Sequence, residues 1–211
     1  LNMNILESLN WRYATKRFDK AKKIDAESLD ILMESMRLAP TSYGMQQLRV
    51  IHLKNAELRK AVEEASFGQV QVTEASDLFV IAVKKEVTAF DLDAYINLIA
   101  ETRGVEVESL APYKERIRGS ILTLDPVRQS EWLFKQAYIL LGFVLESAAL
   151  LKIDACPMEG FDKEKVNKIL NLDKYGLKVA LLIPVGYRSS DDKYQHNNKT
   201  RLTKDNFFIE I

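Results

Sequence analysis

The residues best equipped for chemistry fall into three short clusters. Arg12-Tyr13-Ala14-Thr15-Lys16-Arg17 sets cations and hydroxyls on one irregular turn, an arrangement suited to an anionic group such as phosphate. Lys199-Thr200-Arg201 repeats the cation–hydroxyl–cation order in a stretch with no periodicity. Pro157-Met158-Glu159-Gly160-Phe161 joins a strand end to a helix start, and its glycine lets backbone come close to a ligand. Each cluster also has an ordinary reading: a solvated basic loop, an exposed polar arm and a plain turn. The familiar catalytic arrangements GxSxG, GxxxxGK[ST], HExxH and GxGxxG do not occur. His52 reads as a structural strand residue and His196 as an exposed tail residue. Cys156, the single cysteine, excludes an intrachain disulfide or a Cys-cluster metal site and reads as an inert buried thiol. No catalytic side chain and no metal are therefore expected. An enzyme built this way borrows its chemistry from a cofactor.

The elements that must position these clusters are short and mixed. A first helix covers Met3–Trp11. A second is capped by Asp25, carries Leu29, Leu32, Met33 and Met36 on one face, and stops before Pro40. A strand at Leu48–Leu53 and a helix at Asn55–Ala65 precede Leu78–Val83, which is apolar on both faces and so is a doubly buried strand. Residues 88–122 form a charged amphipathic excursion over the core, with helices at Phe90–Arg103 and Ala111–Leu122. Asp125-Pro126 opens the longest helix, which runs to Leu151. From Trp132 it is apolar nearly all round, so it is enclosed on every side, within the fold or in a subunit interface. A short strand at Ile153–Pro157, a helix at Asp162–Leu170 and a buried strand at Val179–Pro184 follow. A polar arm from Tyr187 closes in the strand-like Phe207–Ile211. Such a tail either adds to a partner's sheet or folds back on its own subunit. The sum is an α+β fold of short strands between helices, organised as one domain over 1–211.

Composition limits the partners. The 211 residues carry 30 Lys+Arg against 30 Asp+Glu, and this balance argues against a coat for nucleic acid. At 47% hydrophobic and 28% charged the chain can bury a core. The longest uninterrupted apolar run, Ala137 to Leu145, is far short of a membrane span, so no membrane partner is expected. With one cysteine and no secretory pattern, a reducing cytoplasm is the expected setting.

Taken in order, the clusters resemble the nitroreductase family of FMN-dependent NAD(P)H oxidoreductases, nearest its oxygen-insensitive nitroreductase and dihydropteridine reductase branch. Arg12 to Asp19 is similar to the family's opening R-[HYR]-S-x-[KR]-x-[FY] signature, and Ala39 to Gln46 to its [AS]-P-[ST] segment. Gly68 to Ser76, Trp132 to Gln136, Pro157 to Phe161 and Lys199 to Arg201 complete a likeness that spans nearly the whole chain. The resemblance implies a mostly antiparallel central sheet flanked by helices, in an intertwined homodimer with two FMN sites between subunits. It implies that Arg12, Lys199 and Arg201 hold the FMN phosphate, with Tyr13 and Ala14 beside them. Lys16 and Gln71 reach the pyrimidine edge of the flavin, where a cation favours the reduced ring. Pro40, Thr41, Ser42 and Gly44 come from the other subunit. Pro157, Glu159 and Gly160 face the ring, a backbone N–H there serving the hydride-accepting nitrogen.

The activity implied is a ping-pong transfer of hydride from NADH or NADPH, through the flavin, to a nitroaromatic, quinone or pterin. Three positions depart from the pattern: Ala14 for a common serine, Gly68 for a common asparagine, and Gln71 for a lysine found in some members. A neutral amide at 71 implies a somewhat lower flavin potential. Two other readings stand beside this one: a specialised FMN enzyme of the dehalogenase or azoline oxidase type, and a flavin-binding module without turnover.

Overall fold

A computed structural model of the chain describes residues 5–211. Helix α1 covers Ile5–Trp11, and Met3 and Asn4, expected to begin it, lie outside the described residues. The sheet has four strands in the order β1-β2-β4-β3, antiparallel throughout, formed by Leu48–His52, Asp77–Lys84, Leu177–Gly186 and Asp154–Ala155 (β1, β2, β4 and β3). Strand β2 lies between β1 and β4, and its alternate residues enter two separate cores. Phe79, Ile81 and Val83 pack with helices α2 (Ala26–Arg37) and α7 (Pro126–Leu150). Leu78, Val80 and Ala82 pack with α3 (Ala56–Ala65) and α8 (Lys163–Ile169). Two apolar layers, one per face, are why the expected both-faces-apolar strand has no polar side.

The helix starts obey their caps. Asp25, Asn55 and Asp162 each accept a backbone N–H from the first turn of α2, α3 and α8. Asp125 accepts two, from Val127 and Arg128, ahead of Pro126 at the first position of α7. The excursion packs in the same layer as α7. Helix α5 (Ala89–Arg103) opens on a Thr88/Asp91 capping box and sends Leu92, Ile96 and Ile99 into that core. Helix α6 keeps α geometry only over Ala111–Ile117, and 118–122 winds as a π-helical turn rather than continuing the expected helix to Leu122.

Two expectations change, at the third strand and in the tail. Within this chain helix α7 buries Leu133, Leu140 and Val144 and leaves Tyr138, Ile139 and Phe143 each just over 40% exposed, so the fold of one chain does not by itself enclose it. It is the one helix among the described residues long and apolar enough to cross a membrane, yet it is a core helix packed on α2 and the sheet. The strand at 153–157 shrinks to Asp154–Ala155 plus a bridge from Met158 to Leu182. The tail forms one helical turn, α9 (Lys204–Phe207), and 208–211 pair with no strand of this chain. The tail thus makes no fold-back strand on its own sheet among the described residues, and the other expectation, addition to a partner's sheet, concerns a second chain.

One buried amide ties the excursion down. Gln129 Oε1 accepts the Val87 N–H at 2.8 Å, while its Nε2 donates to the carbonyls of Val87 and Ile121 at 3.3 and 3.2 Å. Gln129→Leu leaves the buried Val87 N–H and carbonyl without partners, whereas the Ile121 carbonyl keeps the Leu124 N–H, so unfolding in urea is expected to show a loss of about 2–4 kcal/mol. An unchanged midpoint would remove Gln129 from this role.

Candidate functional site

The first and last clusters meet. After α1 the chain runs extended, Ala14 bridging Ala155 in parallel and Phe18 bridging Arg188. Arg12, Tyr13, Ala14 and Lys16 then line a cleft of about 770 Å³ together with Tyr194, Lys199 and Arg201. The Lys199 ammonium donates to the Arg12 carbonyl. Burial, then the charge of Arg201, pushes the Arg12 guanidinium down from its usual value. Lys199 is lowered by burial, then by Arg12 and Arg201. Among the described residues no carboxylate lies within ion-pair distance of Arg12, Lys16, Lys199 or Arg201. Cations gathered with no counter-ion make a site for an anion, and a phosphate dianion relieves their repulsion.

The fastening of this cleft uses residues that sequence reasoning did not single out. Asp192 is buried and takes the Lys16 N–H at 2.7 Å, the Arg17 N–H at 3.2 Å and the Tyr13 hydroxyl at 3.0 Å. These donors and the Tyr194 N–H hold its carboxyl below the usual range against the opposing effect of burial. The same burial and the nearby Asp192 charge push the Tyr13 phenol well up. Arg188 pairs with buried Asp154 at 2.6 Å and stacks on Trp11 and Tyr13, at 4.3 and 4.6 Å from the ring centroids. Arg17 grips buried Glu74 through Nε and Nη2, both at 2.9 Å. The acidic pair Asp191-Asp192 in an otherwise basic arm was the available signal.

A second group continues from the cleft. Lys16 Nζ lies 3.5 Å from the Cys156 sulfur, and Gln71 lies beside the same thiol. Gln71 Nε2 donates to Gln69 Oε1 at 3.0 Å, and Gln69 Nε2 to the Gly160 carbonyl at 2.6 Å. Pro157 follows Cys156 directly, and the exposed Glu159 carboxylate accepts the Tyr138 hydroxyl of α7. Cys156 is fully buried, as expected, but it faces Lys16 and Gln71 rather than apolar atoms alone. Burial raises its pKa and outweighs the lowering by Lys16, so the thiol stays protonated.

Pro40, Thr41, Ser42 and Gly44 stand apart. Ser42 donates its N–H to Gln136 Oε1 at 2.7 Å, and Gln136 is anchored on the Trp132 carbonyl at 2.8 Å. The Tyr43 carbonyl accepts hydroxyls from Tyr95 and Tyr113 at 2.5 and 3.0 Å, bracing a turn in which Tyr43 has φ 56° and Gly44 φ 73°. A Cβ on Gly44 would meet the Tyr95 hydroxyl at 2.6 Å, so only glycine fits there. Thr41 lines a different cleft, with Met33, Arg37 and His52, and no hydrogen bond among the described residues joins this turn to the cation cluster. His52 itself bonds Asp77 at 2.7 Å and stacks on Phe79, a structural strand residue, while His196 is exposed. Gly68 has φ 71°, a left-handed conformation that glycine adopts freely and asparagine tolerates.

Asp192→Asn keeps the shape but weakens the charge-assisted bonds to Lys16, Arg17 and Tyr13. A fall of several degrees in Tm is expected by scanning fluorimetry. Because the folded carboxyl is depressed, its contribution is full above the ordinary value of about 4 and is lost only as pH falls through the lower folded one. Wild-type Tm that already drops between pH 7 and 5 through this arm would contradict that.

The nitroreductase family model matches residues 9–187. A Staphylococcus epidermidis protein provisionally named NAD(P)H nitroreductase is 35% identical over 221 residues, covering 100% of this chain and 98% of its own. A nitroreductase-like protein from Streptococcus mutans has the same fold, with TM-score 0.84 at 21% identity over 98% of this chain and 97% of its own. A provisionally named nitroreductase from Exiguobacterium sibiricum, solved in complex with FMN, gives TM-score 0.82 at 18% identity over 99% and 98% of the two chains. In sequence and in fold alike, this chain belongs to the nitroreductase family.

Proposed function

We propose that the protein is an FMN-dependent oxidoreductase that uses NADH or NADPH to reduce nitroaromatics, quinones or pterins by a ping-pong mechanism. The observation that carries this reading is the meeting of Arg12, Lys199 and Arg201 in one cleft with no carboxylate among the described residues to neutralise them. FMN, when bound, would supply the hydride and electron-transfer chemistry that no side chain of this chain offers. The chain supplies grip and field. Arg12, Lys199 and Arg201 bind the phosphate, flanked by Tyr13 and Ala14. Lys16 and Gln71, held side by side on Cys156, present a cation and an amide to the pyrimidine edge. Pro157, Glu159 and Gly160 form the adjoining wall, with Gly160 held by Gln69.

Pro40, Thr41, Ser42 and Gly44 complete the site from a second subunit on this reading. Their separation from the cation cluster within one chain supports it. So do the exposed Tyr138, Ile139 and Phe143 stripe on α7 and the exposed Phe207, Phe208, Ile209 and Ile211 of the tail. Strand β1 offers an unpaired edge between two apolar clefts, which suits a tail arriving as an added strand. The chain works as one FMN-binding domain, with the 88–122 excursion over it and the arm from 187 crossing out. One free, buried cysteine suits a reducing compartment such as the cytoplasm.

The purified protein is expected to be yellow, or to become so with FMN, and to sediment at twice the 24.2 kDa chain mass. Lys199→Ala and Arg201→Ala are each expected to weaken FMN binding by about tenfold or more, as loss of a charge-assisted phosphate contact requires. Bleaching by NADH or NADPH, followed by turnover with menadione or nitrofurazone, separates an enzyme from a flavin binder. Protein that stays colourless after incubation with FMN overturns the reading.

A further inference from the structure

A second group of cations lies close to the Glu159–Gly160 wall and is used by nothing described so far. Phe134 of α7 carries two ammoniums on its ring, Lys163 Nζ at 5.0 Å and Lys178 Nζ at 5.3 Å from the centroid. Lys178 also donates to the Ser130 hydroxyl at 2.7 Å. Neither lysine has a carboxylate within ion-pair distance among the described residues, whereas their neighbour Lys85 is neutralised by Asp173 at 2.6 Å. Lys178 is half-buried, and burial, then Lys85 and Lys163, lowers its proton affinity. Within the protein these two ammoniums face only a ring and one hydroxyl, and each cation–π contact at a partly exposed site is worth only about 0.5–1 kcal/mol, so both can turn to an arriving anion.

Position ties this group to the site. Lys163 follows Gly160 by three residues, a backbone reach of at most ~11 Å. Phe134 lies one helical turn before Tyr138, whose hydroxyl meets Glu159. A ligand seated against Glu159 and Gly160 that carries a remote anion can place it on these lysines.

Resting on the flavin reading above, we infer that Lys163, Lys178 and Ser130 form a phosphate-monoester subsite that takes the 2′-phosphate of NADPH, so that the enzyme prefers NADPH to NADH. A phosphate monoester is close to a dianion at neutral pH, with a second pKa of about 6, whereas NADH offers a neutral 2′-hydroxyl at the same place. Two lysines are point charges that accept a tetrahedral dianion from several directions, and the hydroxyl adds one directional bond. The Arg12, Lys199 and Arg201 cluster is committed to the phosphate of the flavin, which leaves this second cluster for the donor. Free inorganic phosphate shares the same chemistry and is the competing source.

Calorimetry on the yellow, FMN-loaded protein tests this with 2′,5′-ADP, 5′-AMP and inorganic phosphate as probes. We expect 2′,5′-ADP to bind about tenfold or more tightly than 5′-AMP, and the advantage to vanish in Lys163→Ala and in Lys178→Gln, which keeps most of the side-chain stem. In the same variants KM for NADPH rises by a similar factor, while KM for NADH, kcat and the flavin absorbance are unchanged. Equal binding of 2′,5′-ADP and 5′-AMP, or a preference that survives both substitutions, overturns the assignment. Inorganic phosphate binding as tightly as 2′,5′-ADP assigns the lysines to free phosphate and overturns it too. A colourless preparation strikes the flavin reading instead, so the two failures are told apart by eye.

Discussion

Everything at the site depends on one buried carboxylate that ties the beginning of the chain to its end. Asp192 gathers two backbone N–H groups and a phenol from residues 13–17, more than 170 positions away in sequence. Bonds from fixed N–H donors to an ionised carboxylate are stronger than neutral ones, and they leave little freedom of orientation. That geometry sets where the arm leaves the core. Lys199 and Arg201 follow within ten residues, so their approach to Arg12 is a consequence of the Asp192 clasp rather than of attraction among cations, which repel. The neighbouring pairs Arg17–Glu74 and Arg188–Asp154 each bury the acid and leave the arginine more exposed. They remove the spare charge of the basic loop from competition, and Arg12, Lys16, Lys199 and Arg201 are what remains. The loop thus pairs Arg17 and Arg188 with carboxylates and leaves Arg12 and Arg201 without one among the described residues.

Concentrating uncompensated charge destabilises a fold, and here burial adds to the cost, since both Arg12 and Lys199 are pushed below their usual values. The antiparallel sheet with a full core on each face can bear that local penalty, because most of its buried apolar side chains lie outside the cleft. A ligand that neutralises the cluster returns stability by mass action, which makes thermal shift with FMN a direct report on the site.

Much of this is legible in the amino acids. Caps at Asp25, Asn55, Asp125 and Asp162 announce their helices, because a side-chain oxygen followed by an apolar period has few other uses. Strand β2 is legible from its unbroken apolar run, and the two cationic clusters from their composition. What stays hidden in the sequence is pairing. Asp192, Gln69, Gln129 and Gln136 look like ordinary polar residues, and only the tertiary structure shows that each satisfies backbone or side-chain groups far away along the chain. The end of α6 escapes for a different reason: 118–122 continues helically but with π geometry, which no residue preference marks. Of the two expectations for the tail, the fold-back onto its own sheet is absent among the described residues, and a strand-like composition that could also describe pairing with another chain does not tell the two apart.

That last point bears on how the site is finished. An apolar stripe on α7, an unpaired β1 edge between two clefts and a terminal Phe-Phe-Ile segment left in solvent are three exposures that a stable single chain has no reason to keep together. On the proposed two-subunit reading, a second copy would cover all three at once. On the flavin reading it also brings Ser42 and Gly44 to the cofactor, from a turn that Tyr95, Tyr113 and Gln136 hold ready in a strained shape. Strain of that kind persists only where surrounding bonds over-determine it, and three side chains from α5, α6 and α7 do so here. The excursion at 88–122, which sequence reading leaves as a cover over the core, therefore plays a second part, because two of its tyrosines shape the turn that a neighbouring subunit's cofactor would meet.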